Sequence, residues 1–368
     1  MHRRIRSTAT VTWITYMNFG TFLQAYALQQ TLFRLGYDNK VIDDALIIRR
    51  QHSRYTTLKR RFKRLLLRMI PGNEFYRRTA QAEREFRKFK KDHIVLDSNW
   101  RNPEQLKDRY DAYIAGSDQI WLPHGNVNPF FYLGFTDRYK IAYAPSFGMS
   151  ECPDGMADFM RPYLTRFDRM SVRETQGARI LKDRFGLEAE VVVDPTMLLD
   201  AHDWDCLIGE RTSPAEEGYA LCYMLTYNAG YLDFVRNWCR QHSKLLKLFV
   251  TDPRMVGKAD VDLYVGPTGF LDQIRNADIV FTDSFHGTIF SLVFGKEFLT
   301  FKRFADGETV CQNSRLENLM GRLGLMERLV DADSLSFPDT VLDHTSIRSE
   351  MDVMRRDSVK YLKESLEV

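Results

Sequence analysis

Apolar positions recur along this chain at two alternating periods, one of strands and one of helices. Residues 8–15 are rich in β-branched side chains, Asn18 and Gly20 punctuate, and residues 22–35 carry apolar side chains at helical spacing until Gly36. Residues 40–42 then begin another strand. Strand, turn, helix, strand is the opening of a parallel α/β sheet, because parallel neighbours need a crossover between them. Alternation resumes at 110–115, 140–144, 169–172 and 190–193. Each of these β-forming runs is followed at once by small or polar residues: Gly116-Ser117-Asp118, Pro145-Ser146-Phe147-Gly148, Arg173-Glu174 and Asp194-Pro195-Thr196. Ligands of open parallel sheets sit at the carboxyl ends of strands, so these junctions are expected to carry chemistry. A second set follows, with strands at 219–225, 245–250, 261–264, 279–282 and 297–301 and helices between them.

The pattern predicts an α/β fold of two Rossmann-like domains whose parallel sheets face a cleft, the GT-B-like architecture. The expected boundaries are 1–208 for the first domain, a loop-like linker at 209–218, a second domain over 219–345, and a C-terminal helix at 346–368 packing back on the first. A length of 368 residues suits two such units and is too long for one ordinary core.

With 44% hydrophobic and 27% charged residues and no low-complexity tract, the whole chain is expected to be globular. Five cysteines, Cys152, Cys206, Cys222, Cys239 and Cys311, are scattered and never in a C-x-x-C spacing, so neither a disulfide framework nor a zinc site is signalled. The threonine-broken start is a poor signal peptide and no run approaches the length of a membrane span, so a cytoplasmic protein is expected.

Charge changes the picture locally. Net charge is only +3, yet between Arg49 and Asp92 there are 16 Lys or Arg against 4 Asp or Glu, which makes 49–92 a basic helical insertion. Within it Leu58, Phe62, Leu65, Leu66 and Met69 share a helical face opposite Lys59, Arg60, Lys63, Arg64 and Arg68. Residues 57–70 therefore suit a peripheral helix on an anionic membrane surface, and equally a helix docked on its own domain with a solvated basic face. No nucleic-acid-binding module accompanies the charge, and no nucleic-acid partner is expected.

The sharpest candidate chemistry is Thr282-Asp283-Ser284-Phe285-His286-Gly287-Thr288, between a strand and a helix-like run. Ser284 or Asp283 can cap that helix, whose free amides favour an anion beside His286. Arg173 offers a planar fork for carboxylate or phosphate, or else a salt bridge to Glu174 or Asp194. Asp118 suits contact with or deprotonation of an acceptor hydroxyl, or else caps its own turn with Trp121 packed beneath. Asn18 and Gly20 shape the first strand-helix turn. Asp260/Asp262 and Asp331/Asp333 have D-x-D spacing, too common by chance to signal a metal, and no metal is expected. No G-x-G-x-x-G follows the first strand, and neither G-x-x-x-x-G-K-[ST] nor H-E-x-x-H occurs, so no cofactor is expected.

Six stretches, in order, resemble polysaccharide pyruvyl transferases. They are Asn18-Phe19-Gly20-Thr21-Phe22-Leu23-Gln24-Ala25-Tyr26-Ala27-Leu28-Gln29, Gly116-Ser117-Asp118-Gln119-Ile120-Trp121, Tyr143-Ala144-Pro145-Ser146-Phe147-Gly148, Ser171-Val172-Arg173-Glu174, Asp194-Pro195-Thr196-Met197-Leu198-Leu199 and Ser284-Phe285-His286-Gly287. The resemblance implies a two-lobed enzyme, acceptor side first and donor side second, that takes phosphoenolpyruvate as substrate and builds a pyruvate ketal on a sugar of a glycan, including a lipid-linked one, in surface polysaccharide synthesis. His286 then matches the family's essential histidine and Arg173 its anion-binding arginine, with Asp118 as second catalytic candidate. Ser284, Gly287 and Thr288 fall on the donor side and Asn18, Gly20, Ser117, Gln119 and Trp121 on the acceptor side. Many members have an arginine two positions before the histidine, where this chain has Ser284. The lost contact then falls to Lys302, Arg303 or Arg315. Two other functions fit the same pattern: a GT-B glycosyltransferase using a nucleotide sugar, and a non-catalytic scaffold in glycan assembly.

Overall fold

The computed structural model describes residues 5–51, 66–67, 70, 73–122, 128–210, 218–304 and 313–367. Most of the amphipathic stretch 57–70, and residues 211–217 of the expected linker, lie outside the described residues.

In the first lobe the strands are β1 (Ser7–Val11), β2 (Asp38–Ile42), β3 (Leu96–Asp97), β4 (Ala112–Ala115), β5 (Tyr139–Ala142), β6 (Arg169–Val172) and β7 (Glu190–Val191). Its helices are α1 (Phe19–Arg34), α2 (Ala45–Gln51), α3 (Glu74–His93), α4 (Asp154–Leu164), α5 (Thr175–Ile180) and α6 (Ala201–Ile208). The second lobe has β8 (Tyr219–Tyr223), β9 (Leu245–Phe249), β10 (Val261–Leu263), β11 (Ile279–Thr282), β12 (Glu297–Phe301) and β13 (Leu329–Val330), with helices α7 (Ala229–Gln241), α8 (Pro267–Asn276), α9 (Phe285–Val293) and α10 (Ser314–Arg322). A last helix, α11 (His344–Leu366), ends the chain.

The strand pairings are parallel in both sheets, ordered β3-β2-β1-β4-β5-β6-β7 and β10-β9-β8-β11-β12-β13. Each order runs outward in two directions from one central pair, β1 with β4 and β8 with β11. At such a reversal the two crossovers leave in opposite directions and open a crevice at the strands' carboxyl ends. Two Rossmann-like units with these crevices facing one another make the two-domain α/β fold expected of the sequence.

Strands end earlier than the β-rich runs suggest. Beyond Tyr223, the Leu225 and Thr226 amides donate to the Asp283 carboxylate at 2.6 and 3.1 Å rather than to a neighbouring strand. Beyond Val11, the Thr12 hydroxyl donates to the Ser117 carbonyl at 3.0 Å. Residues at the ends of the runs thus leave the sheets to build the crevice.

One continuous apolar cluster joins the lobes, from Leu28 of α1 through Tyr223 and Phe270 to Phe290 and on to Tyr361 of α11. Phe19 stacks on both Phe86 of α3 and Phe270 of α8, with ring centroids 5.2 and 4.3 Å apart. Helix α3 is strongly basic on its outer surface but buries Phe86 and Phe89, so this part of the basic insertion docks on its own protein. Helix α11 reaches the first lobe, where Tyr361 donates to the Ala142 carbonyl at 3.0 Å and the Ser358 hydroxyl accepts from the Val193 amide at 3.0 Å.

Candidate active site

The two crevices meet in a cavity of about 80 Å³ lined by the loop after β1 (Trp13, Tyr16, Asn18), Thr21 of α1, the turn after β4 (Asp118, Gln119), the β11–α9 junction (Asp283 to His286), Arg303 and Arg315. The lining of this cavity comes from both central strand pairs.

His286 is the second residue of α9, which Ser284 caps by accepting the Gly287 amide at 3.4 Å. The ring is 7% exposed, and its exposed edge forms cavity wall. Against its other side lies the first turn of α1, held by Asn18, whose side chain accepts the Gly20 amide at 2.9 Å. A methyl group on Gly20 would stand 1.9 Å from His286 Nδ1, so only glycine lets α1 approach the imidazole this closely. The amino-terminal turns of α1 and α9 therefore both adjoin this ring, and their free amides favour an anion there.

Behind the ring, Asp194 Oδ2 lies 3.6 Å from His286 Nε2 and 2.7 Å from Arg173 Nη1, while Oδ1 accepts from the Thr196 amide and hydroxyl. Burial alone would raise this carboxyl, but the His286 ring and the Arg173 guanidinium outweigh it and hold the group well below the usual carboxylate range. Asp194 thus remains an anion that orients both partners. Arg173 is 4% exposed and sits behind the cavity wall, paired with Asp194 and laid over the Phe285 ring at 4.8 Å, with Nε and Nη2 making no hydrogen bond. Its salt bridge to Asp194 is formed, and in this structure it backs the cavity rather than lining it.

Arg315 approaches the same Phe285 ring, at 5.4 Å. Burial, together with the neighbouring Arg173 and Arg303 charges, pushes its guanidinium down to about 9, which leaves it cationic at neutral pH. An anion beside Arg315 would relieve that crowding of positive charge. Of the three basic residues considered in place of an arginine at 284, Arg303 and Arg315 line the cavity and Lys302 does not; its ammonium lies 3.9 Å from Glu317.

Asp118 follows Gly116 at the end of β4 and adopts a left-handed backbone, φ 68°, which costs a non-glycine residue about 1–2 kcal/mol. Its carboxylate accepts from Thr21 Oγ1 at 2.6 Å and from the Gln119 amide at 2.8 Å, and faces the cavity. Gln119 also lines it. The other expected positions lie elsewhere. Ser117 is fully buried and donates to the Ala144 carbonyl, and Trp121 is fully buried and stacked on Tyr132. Gly287 and Thr288 are buried too, Gly287 pressed on Thr282 and Thr288 bonded to Thr300 at 2.8 Å. These four shape the site from behind.

The sequence offers Asp194 as a salt-bridge partner of Arg173 and Asp283 as a helix cap, and gives no role to Thr21, Tyr16 or Asn313. Asp283 lines the cavity, and burial pushes its carboxyl up to about 6 against the two amides it accepts. Its place directly after a buried strand was the available signal. Among the described residues no cluster of His, Cys, Asp and Glu suits a metal ion. Nor, among the described residues, is any helix long and apolar enough to cross a membrane.

Comparison with known structures gives the fold. A Listeria monocytogenes protein assigned as a UDP-N-acetylglucosamine 2-epimerase is similar at 11% identity and TM-score 0.51, over 99% of this chain and 91% of that one. The Methanocaldococcus jannaschii UDP-GlcNAc 2-epimerase in complex with UDP-GlcNAc and UDP follows at 11% identity and TM-score 0.49, over 95% and 92%. The Streptomyces nogalater glycosyltransferase SnogD is 13% identical at TM-score 0.45, over 97% and 95%. No curated protein matches the sequence. The model of the family described as polysaccharide pyruvyl transferase matches residues 18–303, from the Asn18 cap of α1 to Arg303 in the cavity wall. By a match over most of its length, the chain belongs to the polysaccharide pyruvyl transferase family.

Proposed function

We propose that the protein transfers the enolpyruvyl unit of phosphoenolpyruvate to two hydroxyls of one sugar in a glycan, releasing phosphate and leaving a pyruvate ketal. The observation that carries this reading is the meeting of His286 with Arg303 and Arg315 in one cavity, at two helix amino termini, opposite the Asp118 carboxylate. The donor carries a phosphate and a carboxylate, and the guanidiniums supply forks for both. His286 as imidazolium gives a proton to the methylene carbon, turning it into a methyl group and leaving cationic character at the neighbouring carbon. A sugar hydroxyl attacks that carbon and loses its proton to Asp118. The C–O bond to phosphate then breaks and the phosphate carries off the proton held by Asp118, after which a second hydroxyl closes the ring and its proton restores His286.

Thermal-shift measurements test the donor. Millimolar phosphoenolpyruvate is expected to stabilise the protein, and UDP or GDP is not. Stabilisation by a nucleotide diphosphate alone would favour transfer from a nucleotide sugar on the same scaffold. Arg315→Ala is expected to raise the KM for phosphoenolpyruvate about 10- to 100-fold, the loss of one or two charge-assisted hydrogen bonds, with a smaller change in kcat.

A further inference from the structure

The basic residues of helix α3 are ordered along its surface. Arg77, Arg84, Lys88 and Lys91 recur at intervals of seven, four and three residues, the spacing of a single row on an α-helix. All four are exposed. The row runs over fourteen residues, about 21 Å. Phe86 and Phe89 lie on the far side of the helix, packed on Phe22 of α1 with ring centroids 5.1 and 6.5 Å apart, so the row faces away from the protein.

Three observations define what the row meets. The acidic groups of the helix are mostly engaged off the row: Glu74 and Glu83 pair with Arg78 and Arg87 at 3.7 and 3.9 Å, and Glu85 accepts the Gly266 amide. Lys88 pairs with Asp92 at 2.8 Å, while Arg77, Arg84 and Lys91 have no ion-pair partner among the described residues. Charge is also divided along the chain: residues 49–92 hold an excess of 12 positive charges in a chain of net charge +3, which leaves −9 for the rest. A negative plane attracts this segment and repels the remainder, and so selects one orientation of the molecule. Finally, Leu66 and Ile70, just ahead of the helix, are 48% and 49% exposed, and the Ile70 carbonyl accepts the Asn73 amide at 3.2 Å in the turn that leads into it. Exposed apolar side chains at the head of a row of cations match a lipid headgroup layer, which takes both. A nucleic acid has no use for them, and no aromatic side chain falls in the row for a base to stack on.

We propose that the exposed face of α3 docks on an anionic lipid bilayer, with Arg77, Arg84, Lys88 and Lys91 among the headgroups and Leu66 and Ile70 at the acyl boundary. The opposite side of the same helix, through Phe75, Thr79 and Phe86, lines a wide opening that shares Tyr16, Asn18 and Leu225 with the catalytic cavity. Docking therefore holds that opening one helix width, about 10–12 Å, from the membrane surface. The inference does not depend on the identity of the donor.

The full-length protein is sedimented with vesicles of phosphatidylcholine alone and with vesicles carrying about 30% phosphatidylglycerol. It is expected to bind the anionic vesicles about 10-fold or more tightly at physiological salt, and less tightly as salt rises. Arg77→Gln, Arg84→Gln, Lys88→Gln and Lys91→Gln each lower that affinity about 5-fold, and the four together lower it roughly several hundred-fold with the circular dichroism unchanged. Arg236→Gln, Arg240→Gln, Lys360→Gln and Lys363→Gln, made together at exposed positions of α7 and α11, remove the same charge elsewhere and change the affinity less than about 3-fold. Equal binding to both kinds of vesicle, binding to neither, binding that survives the four substitutions on α3, or an equal loss in the control variant overturns the proposal. So does a single-stranded RNA oligonucleotide bound as tightly as the anionic vesicles at the same salt, which would make the row a site for soluble polyanions.

Discussion

Gly20 shows what a single residue decides here. In the sequence it is a turn residue before a helix; in the structure its missing side chain is the space that His286 occupies. Gly20→Ala would push the ring off its place by an ångström or more. Misplacement of that order costs about 100-fold in rate, so kcat is expected to fall by about that factor while the far-ultraviolet circular dichroism is unchanged. His286→Gln removes the proton donor itself and is expected to lower kcat about 10²- to 10⁴-fold, with stabilisation by phosphoenolpyruvate largely retained. Wild-type turnover in both variants would remove His286 from the chemistry. The residues His286 and Asp118 were legible as polar groups at strand ends. Asp194 was legible as an alternative partner of Arg173, but its approach to His286 was not, because that histidine comes from the other lobe.

At the scale of elements, the strand-end junctions were legible because buried β-formers give way abruptly to small and polar residues there. Their ionisation was not. Asp44, just after β2, is fully buried, accepts from Thr15 Oγ1 at 2.6 Å through Oδ1, and has no partner for Oδ2. Burial pushes its carboxyl up to about 6. The folded form therefore holds this proton more tightly than the unfolded chain, and stability falls as pH rises from about 4 to about 6, with the full cost present above 6. Asp44→Asn, which keeps the Oδ1 acceptor, is expected to stabilise the protein at pH 7.5 by up to about 3 kcal/mol and to have little effect at pH 4. An equal shift in melting temperature at both pH values would contradict this. Helix α9 is tied to β11 by a similar economy of space, since a methyl group on Gly287 would stand 2.4 Å from Thr282 Oγ1. Gly287→Ala is expected to destabilise by about 1–3 kcal/mol, the usual effect of overpacking, read by urea denaturation.

The whole molecule is two sheets, each with an apolar cluster of its own and a third cluster shared between them. The apolar cluster crosses from α1 to α8 and α9 and continues into α11, so neither lobe buries its inner surface without the other. Calorimetry is accordingly expected to show one unfolding transition rather than two, and Tyr361→Ala, at the far end of that cluster, to lower its midpoint by several degrees. Two well-separated transitions would mean that the lobes are energetically independent. The α/β class and the count of two units could be read from alternation alone. The partner of helix α3 could not be read from its run of basic residues; the burial of Phe86 and Phe89 against α1 is what fixed it.

What the sequence by itself determined is the set of local preferences: where β-forming runs give way to polar residues, that Ser284 or Asp283 caps α9, and which polar groups stand at the sheet's carboxyl edge. These depend on neighbours a few positions away, and hydrophobic periodicity reports them directly. Only the tertiary structure decided that the β1–β4 and β8–β11 reversals face each other, that Arg303 and Arg315 reach the cavity while Lys302 turns to Glu317, and that Ser117 and Trp121 lie inside. Those outcomes depend on the angle at which two lobes pack, which is set by the summed contact of side chains distant in the chain.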